Sequence, residues 1–259
     1  MPEPQLLRRK LPVEGVLLLE LYRPEQRNAL STPLLKQVAE ALNDAAESPE
    51  VRVAVITGGS RVFAAGADIE ELKRTTGDDP VRSQRFEAWE QIRSFPKPFI
   101  AAIEGWCLGA GAELVLCTDI AIAGRDVRIG FPETSLGIIP GAGGTAILPR
   151  VVGRREAMKL VLTGQPIDAQ YARQIGLINE VVEAGGALEA AMLSAKALVA
   201  RAPLAIMMAK ASIRDADSLD EPTHLERERR RFVELLGTDD KTEGIAAFHQ
   251  KRPPAWEGR

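Results

Sequence analysis

The chain has 259 residues, 45% apolar and 27% charged, with a formal net charge of −3. This is ordinary soluble-globular composition, enough for one large domain or a domain with an appendage, and its slight acidity gives no overall attraction to nucleic acid or an anionic membrane. No apolar run reaches the roughly 20 residues that cross a bilayer, and Met1-Pro2-Glu3-Pro4-Gln5 lacks a charged-then-apolar leader pattern, so a cytoplasmic protein is expected.

Val16 to Leu21 is a short apolar run and reads as a strand. Tyr22 to Ala29 is a polar connection. Thr32 is the expected N-cap of a helix with Pro33 at its first position. Leu34, Leu35, Val38, Ala41, Leu42 and Ala45 then recur at helical spacing, and Ser48-Pro49 ends the run. Val51 to Ile56 reads as a buried strand stopping at Gly58-Gly59. Strand, helix and strand in this order predict an α/β architecture. Thr75 to Pro80 reads as a mobile loop and Arg82 to Phe95 as a helix. Phe99 to Ile103 and Asp119 to Ala123 read as strands. From about Leu188 the pattern is almost wholly helical, with a charge run at Glu226 to Arg231 that is expected to be a solvated face.

Three small-residue segments lie where strands are expected to give way to helices: Ala64 to Asp68, Gly109 to Glu113, and Gly141 to Thr145. Small residues let a ligand approach the backbone, and free amides at a helix start favour negative charge. Any one segment alone is better explained by tight helix–strand packing. Gly109 and Gly111 lack the third glycine of a dinucleotide fingerprint, and no Gly-Lys-Ser/Thr closes the Gly141 segment.

Two carboxylates give the segments chemical interest. Glu113 heads an apolar helix, where a desolvated acid needs a partner or a task; an exposed first-turn acid is the plainer reading. Glu133 follows Gly130-Phe131-Pro132 and reads equally as a loop-surface acid. Two carboxyl groups in unlike environments can serve as general acid and general base, but only a fold can bring them together. His224 and His249 sit in the charged tail and read as surface or interface groups. Cys107 and Cys117 read as buried free thiols. No ligand spacing suggests a metal, and Ser31, Ser60 and Ser135 lack a nucleophile-elbow context. Trp89 and Trp106 are expected in the core or a pocket wall, and Arg61 and Lys73 on the surface or beside phosphates.

Four signatures, in order and nearly end to end, carry a resemblance: Phe63-Ala-Ala-Gly-Ala-Asp-Ile69, Ile100-Ala-Ala-Ile-Glu-Gly105, Leu108-Gly-Ala-Gly-Ala-Glu113, and Phe131-Pro-Glu to Gly-Gly-Thr145. The chain resembles the enoyl-CoA hydratase (crotonase) family. The resemblance implies a crotonase-like α/β spiral of β-β-α turns, with a core over residues 1–195 and a helical C-terminal trimerisation region over 196–259. It implies an acyl-CoA thioester substrate, no cofactor besides the CoA of that substrate, and a homotrimer or a hexamer built as a dimer of trimers; the composition and residue spacing add the expectation of no metal and no nucleic acid or membrane partner.

By position, the resemblance makes Glu113 and Glu133 the pair that holds the attacking water. It makes Ala67 and Ala110 the backbone N–H donors of an oxyanion hole. Ala110 departs from the family's usual glycine. Gly141 matches an amide near the water, Ala65, Asp68 and Ile69 match the lining of the CoA path, and Phe248 and Lys251 match a C-terminal element near the CoA end. The implied reaction is reversible syn hydration of a trans-2-enoyl-CoA to a 3-hydroxyacyl-CoA, in fatty-acid or related acyl-CoA degradation. The alternatives are 3-methylglutaconyl-CoA hydratase, an enoyl-CoA isomerase, and a CoA-binding subunit without catalysis.

Overall fold

The computed structural model describes residues 5–76 and 80–259; Gly77 to Asp79 of the expected loop lie outside the described residues. Among the described residues, ten strands form two sheets. The large sheet holds β1 (Leu7–Val13), β2 (Gly15–Leu21), β3 (Val51–Thr57), β5 (Phe99–Ile103), β7 (Ile120–Gly124) and β10 (Glu180–Val182), in that spatial order. Only β1 against β2 is antiparallel. The small sheet runs β4 (Val62–Ala64), β6 (Trp106–Leu108), β8 (Arg128–Gly130) and β9 (Ile167–Asp168).

The chain builds these sheets by repetition. β3, β5 and β7 each enter the large sheet, and the next strand of each pair, β4, β6 and β8, enters the small one. Helices follow: α1 (Thr32–Glu47) precedes β3, α2 (Ile69–Arg74) and α3 (Pro80–Ser94) follow β4, and α4 (Ala110–Leu116) follows β6. This is a spiral of β-β-α turns, as expected.

Strand periodicity explains why the large-sheet strands read as unbroken apolar runs. Alternate residues face opposite sides, and both sides are covered. Leu17, Leu19, Ala54, Ile56, Ala101 and Ile103 join the main core with α1, α3 and α4. Val16, Leu18, Val53, Val55, Ile100 and Ala102 pack instead against Ala187, Ala191 and Ala195. Those three alanines recur every fourth residue on one stripe of a further helix, Ala187–Val199, and their small side chains let it lie close to the sheet. Buried Glu104 fixes its start by accepting a hydrogen bond from the Ala187 N–H at 3.0 Å. The expected boundary at residue 195 falls inside this helix. Three more helices follow, Pro203–Asp215, Glu221–Leu236 and Asp239–Gln250, and the first two bury no residue in the single chain.

Two local readings are corrected. The N-cap of α1 is Ser31, whose hydroxyl accepts from the Leu34 N–H, so Thr32 is already helical. The strand β1 was not expected, because Arg8, Arg9 and Lys10 break its apolar pattern; it is a sheet edge, where charged residues are tolerated.

Candidate active site

The site is assembled by glycines that allow close backbone approach. β6 ends at Gly109, which has φ +50°, a region L side chains avoid. The helix α4 begins at the next residue. A β-carbon on Gly111 would lie 2.6 Å from the Ala64 carbonyl oxygen, so the first turn of α4 rests directly on the end of β4. This contact sets the segment Ala64 to Asp68 beside the α4 N-terminus.

Two backbone N–H groups are left over there. Leu30 bridges Ala67 in parallel register, its N–H donating to the Gly66 carbonyl at 2.8 Å and its carbonyl accepting from the Asp68 N–H at 3.3 Å. In such a bridge the N–H of Ala67 itself points the other way. The Ala110 N–H belongs to the first turn of α4 and has no helical acceptor. Neither amide has an acceptor among the described residues. Ala110 has no positive φ, so the β-carbon it carries in place of the family's glycine leaves this donor in an ordinary helical conformation.

Both alanines line one cavity of about 220 Å³ together with Glu113 and Glu133. Glu113 is 3% exposed, and its Oε1 accepts hydrogen bonds from the N–H groups of Ala142 at 2.6 Å and Gly144 at 3.0 Å. Burial pushes its pKa up; those two amides and the charges of Arg85 and Arg93 pull against that rise. Arg93 also holds the turn that supplies the amides, donating to the Ala142 carbonyl at 2.7 Å.

Glu133 is different. It sits in a single 3-10 turn, Pro132–Leu136, and its buried Oε2 has no hydrogen-bond partner among the described residues. Burial, with the nearby charge of Glu113 adding to it, pushes its pKa up to about 7. One cavity thus contains an anchored carboxylate, a carboxyl poised near neutrality, and two free backbone donors. That set can stabilise a developing oxyanion while protons move to and from an adjacent carbon.

The other expected residues fall in several places. Gly141 lines the cavity, but the amides that reach Glu113 belong to Ala142 and Gly144. Asp68 caps α2, accepting from the N–H groups of Glu70 and Glu71, and pairs with Arg23 at 2.8 Å. Burial opposes its ionisation, yet the Arg23 bond and those amides outweigh burial and hold its carboxyl below the usual range. Ala65, half-buried, donates its N–H to the Arg27 carbonyl, and Ile69 is exposed; neither lines the cavity. Phe248 is 82% exposed and Lys251 ends the last helix, so neither joins the acids within this chain.

Trp89 is buried and forms a cavity wall. Trp106 is exposed, contrary to expectation; strand alternation turns Cys107 inward in its place. Both cysteines are free and buried. Arg61 is exposed and Lys73 pairs with Glu70. The Glu226 to Arg231 run is not simply solvated, since Arg227 and Arg231 both pair with Asp215. His224 meets the Ser212 carbonyl, and His249 packs on Phe248. Sequence reasoning missed Ala142, Gly144, Arg93 and Arg85, because their partners lie tens of residues away and a helical arginine reads as solvated.

A family model described as enoyl-CoA hydratase/isomerase matches residues 13–259. The 2,3-dehydroadipyl-CoA hydratase of Escherichia coli (strain K12) is 44% identical over 246 residues, 95% of this chain and 96% of that protein. A probable mitochondrial enoyl-CoA hydratase of Dictyostelium discoideum is 38% identical, over 93% of this chain and 87% of that one. The crystal structure of an enoyl-CoA hydratase from Bacillus anthracis superimposes with a TM-score of 0.94 at 35% identity, covering 98% of this chain and all of that one. The fold is the crotonase fold, and the chain belongs to the enoyl-CoA hydratase/isomerase family as a hydro-lyase.

Proposed function

We propose that this enzyme hydrates a trans-2-enoyl-CoA, adding water syn across the 2,3-double bond to give a 3-hydroxyacyl-CoA. The observation that carries the reading is the unlike pair of acids in one cavity: Glu113 gripped by two amides, Glu133 with its Oε2 unpartnered among the described residues and its pKa near neutrality. The N–H groups of Ala67 and Ala110 hold the thioester oxygen and stabilise the charge that grows on it. Such a donor is worth about 3 kcal/mol of barrier. Glu113, favoured as carboxylate by its amides, takes a proton from the water that attacks C3. Glu133, carrying its proton, delivers it to C2. Every step uses groups of the chain, the thioester and one water. An isomerase needs only one shuttling acid, so the retention of both supports hydration over that alternative.

The same reading makes the enzyme a homotrimer or a dimer of trimers. The exposed apolar side chains of Ile213, Phe232 and Val233 on two C-terminal helices that bury nothing in the single chain support it. Asp68, Ala65 and Ile69 would border the CoA path, and Phe248 and Lys251 would approach a CoA end from a neighbouring copy. The two free, buried cysteines fit a reducing, cytoplasmic setting.

The test is the loss of enoyl-thioester absorbance with crotonyl-CoA, followed by 2,3-dehydroadipyl-CoA, the compound in the name of the 44% identical relative. Glu113→Gln and Glu133→Gln should each lose about 10²–10⁴-fold in kcat while still binding acyl-CoA. Near-normal turnover in either variant refutes the assignment. Conversion of a 3-enoyl-CoA without hydration points to the isomerase.

A further inference from the structure

We propose that Arg85 binds a carboxylate at the far end of the acyl chain, so that the preferred substrate is a short 2,3-unsaturated dicarboxylic acyl-CoA. This rests on the hydratase reading for the chemistry, but its own ground is the cavity wall.

Arg85 lies on α3 with its side chain 16% exposed, and it lines the cavity that holds Glu113 and Glu133. It is the one cation among the described residues of that lining. A desolvated guanidinium is costly unless its donors are used. Here Nη1 donates to the Leu30 carbonyl at 3.0 Å, and the nearest carboxylate oxygen, Glu71 Oε1, is 3.6 Å away, beyond hydrogen-bond length. Glu71 is already engaged, accepting from the N–H of Thr32 at 2.8 Å and from the Thr32 hydroxyl. The Nε and Nη2 donors of Arg85 therefore have no acceptor among the described residues.

A guanidinium with open donors is shaped for a carboxylate. The neighbouring wall is apolar, formed by Leu72, Phe86, Trp89 and Ile138, and a chain ending in methyl needs no cation there. A second carboxylate, by contrast, would meet Glu71 and Glu113 in the same cavity, and without Arg85 their charges would repel it. Arg85 is also near enough to act on the ionisation of Glu113. Arg85 and Glu113 line one cavity of about 220 Å³, which leaves room for only a few carbons beyond C3, so the diacid is a short one.

The test compares two unreactive ligands of equal acyl length, adipyl-CoA and hexanoyl-CoA, by calorimetric titration of the full chain. The parent should bind adipyl-CoA more tightly. Arg85→Gln should weaken adipyl-CoA roughly 10- to 100-fold and hexanoyl-CoA by a much smaller factor, and Arg85→Lys should recover part of the loss. Hexanoyl-CoA binding shows that the variant is folded. Equal affinity of the parent for the two ligands overturns the proposal, as does a proportional loss of both in Arg85→Gln, or binding of neither. Selective binding without hydration of the corresponding unsaturated thioesters refutes the hydratase reading and leaves the Arg85 assignment standing.

Discussion

Gly109 and Glu133 stand so close that a β-carbon on Gly109 would sit 2.8 Å from Glu133 Oε1. The glycine is demanded twice, once by that contact and once by its positive φ. Gly109→Ala should therefore displace Glu133 and strain the start of α4. Strain of this kind costs about 1–3 kcal/mol, and misplacement of a reacting group by an ångström costs about a hundredfold in rate. Thermal unfolding and crotonyl-CoA turnover, measured together, should show a modest fall in Tm and a much larger fall in kcat. An unchanged kcat would mean that the position of Glu133 is not set by this contact.

The raised pKa of Glu133 has consequences for activity and for stability. As a general acid it must carry its proton, so kcat/KM should decline as pH rises through about 7. In the folded state Glu133 holds a proton that the unfolded chain has released above about 4.5, so its contribution to stability falls as pH rises between 4.5 and about 7. Glu133→Gln removes that cost. The variant should gain Tm over the parent at pH 8 and lose the advantage by pH 4. A gain of equal size at both pH values would show that the carboxyl is not perturbed in the fold.

Arg93 is a positioning residue for Glu113. It donates to the Ala142 carbonyl, Ala142 and Gly144 hold Glu113 Oε1, and Arg214 in turn donates to the Arg93 carbonyl. Arg93→Met should loosen the turn and lower kcat by roughly tenfold, the worth of one charge-assisted hydrogen bond. It should also move the acidic limb of the pH–rate profile upward, because a charge that favours the Glu113 carboxylate is gone. A fall in Tm with an unmoved acidic limb would assign Arg93 to packing alone.

In the large sheet β2, β3, β5 and β7 were legible because they are unbroken apolar runs, and α1 because its apolar residues keep helical spacing; the charged β1 and the three-residue β10 were not. The small sheet was not: β4, β6 and β8 have three residues each and β9 has two, too few to show a period. At the site, the small-residue segments and both acids were visible in the sequence, and the resemblance supplied their roles. What held the acids was not visible. The bond from Gly144 to Glu113 spans 31 residues, and nothing local in Gly141-Ala-Gly-Gly announces that its amides face inward. Arg85 went unnoticed because charged residues on a helix ordinarily face water, and only the packing of α3 over the cavity turns this one inward.

Each acid is held by the segment that carries the other. Glu113 rides on α4 and is gripped by the turn just beyond Glu133, while Glu133 abuts the glycine from which α4 starts. The far wall of the cavity comes from elsewhere, from α2 and α3. Selection acting on the chain therefore meets two regions of unequal freedom. Substitutions between residues 109 and 144 disturb both proton-transfer groups together, whereas substitutions between 69 and 89 change the shape and charge that greet the acyl chain. A descendant of this enzyme can acquire a new diet without relearning its chemistry.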